Sequence, residues 1–114
     1  MVNKWDIFFC SLDPTEGSER RGTRPVLVIS TDSVNHNLTV STVLPLSSVK
    51  GSERIYPTEV FLPTDISGLT KPFVAMVQQI RTISHSRLKN KVGTLIDGSA
   101  RKQILDACRD YFDL

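Results

Sequence analysis

The chain has 114 residues, of which 39% are hydrophobic and 23% charged, with a formal net charge of +2 and two cysteines. This length predicts one domain, residues 1–114, with a single modest core, and the composition excludes a disordered chain. No apolar run approaches the roughly 20 residues of a membrane helix, and nothing resembles a signal peptide, so we expect a cytoplasmic protein.

Apolar and β-branched runs separated by turn residues predict a series of short strands. In chain order we expect strands at residues 5–12, 24–30, 39–46 and 58–62. Asp13-Pro14 ends the first strand and is followed by a glycine-bounded loop, while polar loops are expected at 31–37 and 47–57. Residues 73–83 predict one long strand or two joined strands, 84–90 one helical turn, and 91–95 a further short strand.

The last element is predicted to be a helix that Asp97-Gly98-Ser99 opens, with Asp97 or Ser99 as its N-cap. Its apolar positions fall at spacings of three and four residues and predict one buried face, made of Ala100, Ile104, Ala107, Cys108 and Tyr111 or Phe112. Many short strands with one terminal helix predict a mainly β, α+β fold. We expect a small, curved antiparallel sheet, an SH3-like partial barrel, packed on a C-terminal helix.

The cysteines and histidines give no sign of a metal site. Cys10 and Cys108 each lie in an apolar pattern typical of small core residues, and a disulfide between them has no supporting framework. His36 and His85 have no second ligand at a useful spacing. We therefore expect neither a metal nor any other cofactor.

A charged loop that leads directly into a strand carries most of the functional information. Pro25 suits the first position of a strand, so Arg24 is expected at the lip of a rigid sheet, as in many sites for phosphate-bearing ligands. In addition, residues 66–96 contain five Lys or Arg residues and no acidic residue. That stretch indicates either an anionic partner or an ordinary solvated basic face.

Three segments together resemble the MazF/PemK family of toxins from bacterial toxin–antitoxin pairs. They are LDPTEGSE at 12–19 with GTRPVLV at 22–28, VLPLSS at 43–48, and QIRTI at 79–83 followed by Arg87-Leu88 and Gly93. The resemblance implies a metal-independent endoribonuclease that cuts single-stranded RNA, often mRNA, at short sequences. It also implies the fold shared with CcdB gyrase poisons, a homodimer, and a small antitoxin whose C-terminal tail covers the RNA groove.

The same resemblance implies three catalytic positions. Arg24 matches the family's catalytic arginine, whose planar guanidinium suits a phosphate clamp. Ser47 matches a position that usually carries Thr, and its hydroxyl can still donate to a phosphate oxygen. Glu19 aligns with an acidic residue that could act as base or orient Arg24, although a carboxylate base would need burial to raise its pKa. The alternatives are a salt-bridged surface arginine, an ordinary loop serine, and a glutamate paired with Arg20 or Arg21.

The sequence departs from the family where Gln78 replaces an acidic residue and Met76 replaces a basic one, so its proton path differs. Gln78 and Gln79 could instead read the base edges of unpaired RNA. Basic loop residues such as Lys50 and Arg54 could follow the RNA backbone. The full set expected to bind RNA is Ser18, Arg20, Arg21, Thr23, Ser48, Lys50, Gln78, Gln79 and Arg81.

Two other functions remain open at this stage. A non-catalytic topoisomerase poison of the CcdB type would share the fold, but that family depends on a terminal helix ending in Trp-Gly-Ile. This chain ends in Asp110-Tyr111-Phe112-Asp113-Leu114. A catalytically silent RNA-binding relative is the second alternative, because of Ser47 and Gln78.

Overall fold

The computed structural model describes residues 1–49 and 56–114, and within them the chain forms a seven-stranded sheet and two α-helices. The strands are β1 (Asp6–Ser11), β2 (Thr23–Val28), β3 (Val40–Ser48), β4 (Glu59–Leu62), β5 (Phe73–Met76), β6 (Arg81–Ser84) and β7 (Leu88–Thr94). The helices are α1 (Asp32–Asn37) and α2 (Gly98–Phe112), and single 3-10 turns lie at Thr64–Ile66, Val77–Gln79 and His85–Arg87. None of the helices in these two ranges is long and apolar enough to cross a membrane.

The sheet is open and antiparallel, with the order β4-β5-β3-β2-β1-β7 and with β6 paired to β3 away from this path. Strand β3 changes partner along its length: Val40–Val43 pair with β6, whereas Leu46–Ser48 pair with β5. Pro45, which has no N–H to donate, lies at this change. The arrangement confirms the predicted fold class, a curved antiparallel sheet with a C-terminal helix.

Each face of the central strands packs in its own apolar cluster, because successive side chains of a strand point to opposite faces and both sets are apolar here. Ile7 and Leu27 are directly paired and belong to the cluster that includes Ala100 and Ile104 of α2. Their neighbours Phe8 and Val26 belong to a second cluster, whose other members are Cys10, Leu12, Val28, Val43 and Ile83. The two valines and one leucine of β2 thus reach both clusters, and this packing holds in place the strand that carries Arg24.

Helix α2 begins as the sequence predicts. The Asp97 carboxylate accepts a hydrogen bond from the Ala100 N–H at 2.8 Å, so Asp97 is the N-cap rather than Ser99. Ala100 and Ile104 are buried, and Ala107 and Cys108 pack against the same core. Tyr111 and Phe112 are 43% and 51% exposed, so the buried face ends one turn before the predicted limit.

The predicted polar loop at 31–37 is wrong, because residues 32–37 form α1. This segment has no helical apolar pattern, and polar hydrogen bonds hold it instead. The Asp32 carboxylate accepts from the Lys4 N–H at 2.7 Å, which lowers the pKa of Asp32. The buried Asn35 amide oxygen accepts from the hydroxyls of Ser30 and Ser41.

Smaller differences concern the ends of strands. Ser47 and Ser48 belong to β3 and not to the predicted loop, of which residues 50–55 lie outside the described chain. The 73–83 segment forms two strands joined by a 3-10 turn, the second of the two predicted alternatives. Strand β7 begins at Leu88, three residues before the predicted start at 91. The remaining predicted strands are confirmed with shifts of one or two residues at their ends.

Candidate active site

The loop between β1 and β2 (residues 12–22, hereafter the β1–β2 loop) is fastened at its base by two arginines. Arg81 Nη1 donates to the Leu12 carbonyl at 3.0 Å, and Arg87 Nη1 donates to the Asp13 carbonyl at 2.6 Å. The Leu12 N–H donates to the Gly22 carbonyl at 3.0 Å and closes the loop. Two cations of the acid-free 66–96 stretch therefore bind protein carbonyls, while Arg81 also lines a cavity described below.

Gln79 fastens the tip of the same loop through both ends of its amide. Its Oε1 accepts from the Arg20 backbone N–H at 3.1 Å, and its Nε2 donates to the Ser18 carbonyl at 3.1 Å. Gln78 points its amide elsewhere: it accepts from Thr58 Oγ1 at 2.9 Å and donates to Glu59 Oε2 at 2.8 Å. Both amides of the pair expected to read bases are thus hydrogen-bonded to protein groups.

Arg20 reaches the hydroxyl of Ser47. Its Nη2 donates to Ser47 Oγ at 3.3 Å, and its Nε lies 3.3 Å from the sulfur of Met76. No sequence pattern predicts this contact, because it joins residues 27 positions apart. Arg20, which the sequence predicts to bind RNA or to pair with Glu19, therefore lies at the predicted catalytic serine.

Arg24 lies on β2 beside β3, at the end of the sheet that carries Ser47. The β2–β3 pairing runs to Val26 opposite Pro45, so Arg24 and Ser47 each lie two residues beyond the last pair. With regular alternation along both strands, their side chains leave the same face of the sheet. Arg24 Nε donates to the Arg21 carbonyl at 2.8 Å, and no direct bond joins Arg24 to Ser47 among the described residues.

Two cavities flank this end of the sheet. The first, of about 490 Å³, is lined by the cations Arg21, Arg24 and Lys71, the aromatic rings of Phe9 and Phe73, and the polar Thr23, Ser48 and Thr70, with Gly22, Pro25, Leu46 and Leu69 between them. The second, of about 250 Å³, is lined by Glu19, Arg20, Pro45, Gln78, Gln79, Ile80 and Arg81. Of the predicted RNA-binding residues, Ser18 contributes its carbonyl to the Gln79 contact, and Lys50 lies outside the described residues.

Glu19 is exposed and lines the second cavity. Its Oε1 accepts from the Glu16 N–H at 2.7 Å, so it also stabilises the turn of the β1–β2 loop. Among the described residues it forms no ion pair with Arg20 or Arg21, the alternative that the sequence left open. The burial expected of a carboxylate base is absent at Glu19 in this conformation.

The cysteines are both free. Burial raises the pKa of the Cys10 thiol, an effect that the nearby Arg81, Arg87 and Lys89 partly offset. Burial also raises the pKa of Cys108 on α2. In residues 1–49 and 56–114 no group of three or more His, Cys, Asp or Glu side chains is placed to hold a metal ion.

Comparison with known proteins agrees with this architecture. Residues 3–112 match the model of the PemK-like, MazF-like toxins of type II toxin–antitoxin systems. The chain is 32% identical over 119 aligned positions to endoribonuclease MazF9 of Mycobacterium tuberculosis, covering 100% of this chain and 98% of that protein.

Two solved structures show the same fold. Toxin MazF-mt6 of Mycobacterium tuberculosis is 28% identical with a TM-score of 0.77, over 96% of this chain and 97% of its own. An endoribonuclease from a mycobacterial species, solved in complex with its cognate antitoxin, is 18% identical with a TM-score of 0.77, over 100% of this chain and 97% of its own. Since the family model spans nearly the whole sequence, this chain belongs to the family of PemK-like, MazF-like toxins of type II toxin–antitoxin systems.

Proposed function

We propose that this protein is a sequence-specific endoribonuclease toxin that cleaves single-stranded RNA, including mRNA, without a metal ion. The observation that carries the proposal is the hydrogen bond from Arg20 to Ser47 at the end of the sheet that also carries Arg24. Arg24 lines the larger cavity with other cations and aromatic rings, Arg20 lines the smaller one, and Ser47 lines neither of the two. The 32% identity to an endoribonuclease over the full chain supports the same activity.

The chemistry requires a base, a cationic clamp and donors aimed at the phosphate oxygens. The base removes the proton of the ribose 2′-OH, and the 2′-oxygen attacks the adjacent phosphorus. The bond from phosphorus to the 5′-oxygen breaks, and that oxygen takes a proton from a general acid or from solvent water. The products are a 2′,3′-cyclic phosphate and a 5′-hydroxyl end. Arg24 supplies a permanent charge in a planar fork, and Ser47 donates to a non-bridging oxygen. Glu19, which lines the second cavity, is the candidate base.

The larger cavity suits a nucleotide next to the cleaved bond. Arg21, Arg24 and Lys71 can face phosphates, and the rings of Phe9 and Phe73 can contact an unpaired base. Phe9 is 38% exposed, unusual for a phenylalanine in a central strand, which leaves part of its ring open to a ligand. Thr23 and Ser48 offer hydroxyls that could select among bases.

A protein antitoxin is the expected inhibitor. The family is one of toxin–antitoxin pairs, and the mycobacterial endoribonuclease of the same fold was solved with its cognate antitoxin. We further propose that the protein acts as a single-domain homodimer in the cytoplasm, where mRNA and a co-expressed antitoxin are both present. A topoisomerase poison or a silent RNA-binding module remains the alternative that the following experiment separates.

Expression of the wild type and of Arg24→Ala tests the proposal directly. The wild type should arrest growth and fragment mRNA, and Arg24→Ala should abolish both effects, because removal of a preorganised transition-state donor costs about 100-fold or more in rate. The purified wild type should cleave a long single-stranded transcript in EDTA and leave 5′-hydroxyl ends.

The control is Arg109→Ala, which removes an exposed arginine of α2 paired with Asp106. This variant should keep the wild-type toxicity. Growth arrest with intact RNA and broken DNA would establish the topoisomerase alternative, and absence of arrest would establish the silent module. Loss of cleavage on chelation would contradict the metal-free mechanism.

A further inference from the structure

We propose that Arg20 is a second guanidinium of the phosphate site and that Gln79 is the positioning residue that holds it there. This inference rests on the proposed ribonuclease function and assigns new roles within it. It replaces the expectation that Gln79 reads RNA bases. Two contacts, of Gln79 with the β1–β2 loop and of Arg20 with Ser47, carry this inference together with the proton of Ser47.

The first contact is the amide of Gln79 on the β1–β2 loop. Its oxygen and nitrogen bind the Arg20 N–H and the Ser18 carbonyl, both at 3.1 Å, so one side chain pairs with the main chain as a neighbouring strand would. Gln79 itself lies in the 3-10 turn between β5 and β6, and the sheet fixes both ends of that turn. A rigid element therefore holds the tip of a loop that is otherwise exposed at residues 16–19.

The second contact is the guanidinium of Arg20 on Ser47. Arg20 is half-buried, and its Nε and Nη2 approach Met76 Sδ and Ser47 Oγ, both at 3.3 Å. A guanidinium carries five N–H groups, so the others are available to an anion. They have no partner within residues 1–49 and 56–114. Arg20 can therefore bind Ser47 and a phosphate oxygen at the same time.

The third step concerns the proton of Ser47. Arginine can only donate, so Ser47 Oγ is the acceptor in this pair and keeps its own hydrogen. That hydrogen has no acceptor among the described residues, and the hydroxyl can direct it to a phosphate oxygen. Arg20 therefore contributes twice, through its own charge and through the orientation of the serine hydroxyl.

The experiment is a double-mutant cycle on purified protein. A long single-stranded transcript is first cleaved by the wild type, and its new 5′ ends are sequenced to find the cleavage motif. A short oligoribonucleotide that contains this motif then serves for kcat and KM. An analogue with a 2′-deoxy sugar at the cleavage site, which lacks the nucleophile, serves for Kd.

Arg20→Ala should lower kcat by about 100-fold, since an oxyanion donor is lost, with a smaller effect on Kd for the deoxy analogue. Gln79→Ala should also lower kcat, and it should leave the cleavage motif unchanged. The double variant should be no slower than Arg20→Ala, because Gln79 acts through Arg20 and the two effects are then not additive. Arg20→Lys should recover only part of the rate, since a single ammonium lacks the planar fork.

Gln103→Ala, which removes an exposed glutamine of α2, is the matched control and should leave kcat unchanged. Additive losses in the double variant, or a changed cleavage motif in Gln79→Ala, would overturn the inference and restore base reading. If Arg20→Ala cleaved RNA at the wild-type rate while Arg24→Ala was inactive, the inference about Arg20 would be overturned and the proposed function would stand. A wild type that cleaves no RNA would instead overturn the proposed function.

Discussion

At the scale of single residues, the sequence predicts a catalytic role for the Ser47 hydroxyl, and the structure shows which side chain contacts it. Ser47 lies in β3, half-buried, and its oxygen accepts from Arg20 at 3.3 Å. A strand favours β-branched side chains, and a threonine there would keep the hydroxyl while restricting its rotation about χ1. In the proposed mechanism the serine supplies the required hydroxyl, and a threonine would hold that hydroxyl in a more restricted rotamer.

We expect Ser47→Thr to cleave RNA at least as fast as the wild type and Ser47→Ala to be about 10- to 100-fold slower, because only the latter loses the donor to the phosphate. Single-turnover cleavage of the mapped oligoribonucleotide measures both. Circular dichroism and urea unfolding of each variant separate a lost donor from a lost fold. Equal rates for Ser47→Ala and the wild type would remove the hydroxyl from the mechanism.

The glutamine pair shows what a sequence cannot reveal at this scale. Residue type suggests base reading for Gln78 and Gln79, since an amide offers both a donor and acceptors. In the structure, Gln78 forms hydrogen bonds with Thr58 and Glu59, and Gln79 forms hydrogen bonds with the backbone of the β1–β2 loop. The partners of Gln79 lie 59 and 61 positions away in the chain, and no periodic pattern encodes a contact of that separation.

At the scale of elements, strands with a strong apolar pattern were predictable and the polar helix was not. Residues 25–28 are uniformly buried and apolar, and they predict β2 without reference to any other segment. Helix α1 has one buried residue, Asn35, and depends on hydroxyls from Ser30 and Ser41. These side-chain bonds are close in sequence but follow no apolar periodicity, and the bond from the Lys4 N–H to Asp32 spans 28 positions, so an apolar pattern does not predict the helix.

Gly93 on β7 lies very close to the backbone of Ser67. It pairs with Ile7 next to a register shift in the β1–β7 ladder, and a Cβ built there would clash with the Ser67 carbonyl oxygen, a backbone atom that cannot rotate away. We expect Gly93→Ala to lower the free energy of unfolding by about 2 kcal/mol or more, since the backbone must shift to admit the methyl group. Urea unfolding measures this difference.

Gly98→Ala is the matched control for that substitution. Gly98 is the first residue of α2, and a Cβ there would meet no atom within 4 Å. Its stability should be unchanged or raised by up to about 1 kcal/mol, because alanine restricts the unfolded chain. If Gly93→Ala were as stable as Gly98→Ala, Gly93 and the Ser67 carbonyl would be farther apart in solution than in the structure.

At the scale of the whole molecule, the position of the charges matters more than their sum. The net charge is only +2, yet five cations occupy the acid-free stretch at 66–96. The structure divides them by role: Arg81 and Arg87 bind carbonyls of the β1–β2 loop, and Lys91 forms a salt bridge with the buried Asp6 at 3.1 Å. Only Lys71 of this group lines the larger cavity, next to Arg21 and Arg24.

This division predicts unequal effects of two lysines on RNA affinity. Each cation that neutralises an RNA phosphate contributes about 0.7 to the slope of log K against log salt for a single strand, because it releases a counterion. Lys71→Ala should therefore weaken binding of the 2′-deoxy analogue and make the slope shallower by about 0.7. Lys89→Ala, on exposed β7 and outside both cavities, should leave affinity and slope unchanged. Binding titrations between low and moderate salt give both quantities, and equal effects of the two substitutions would instead indicate that RNA contacts the 66–96 stretch as one continuous basic face.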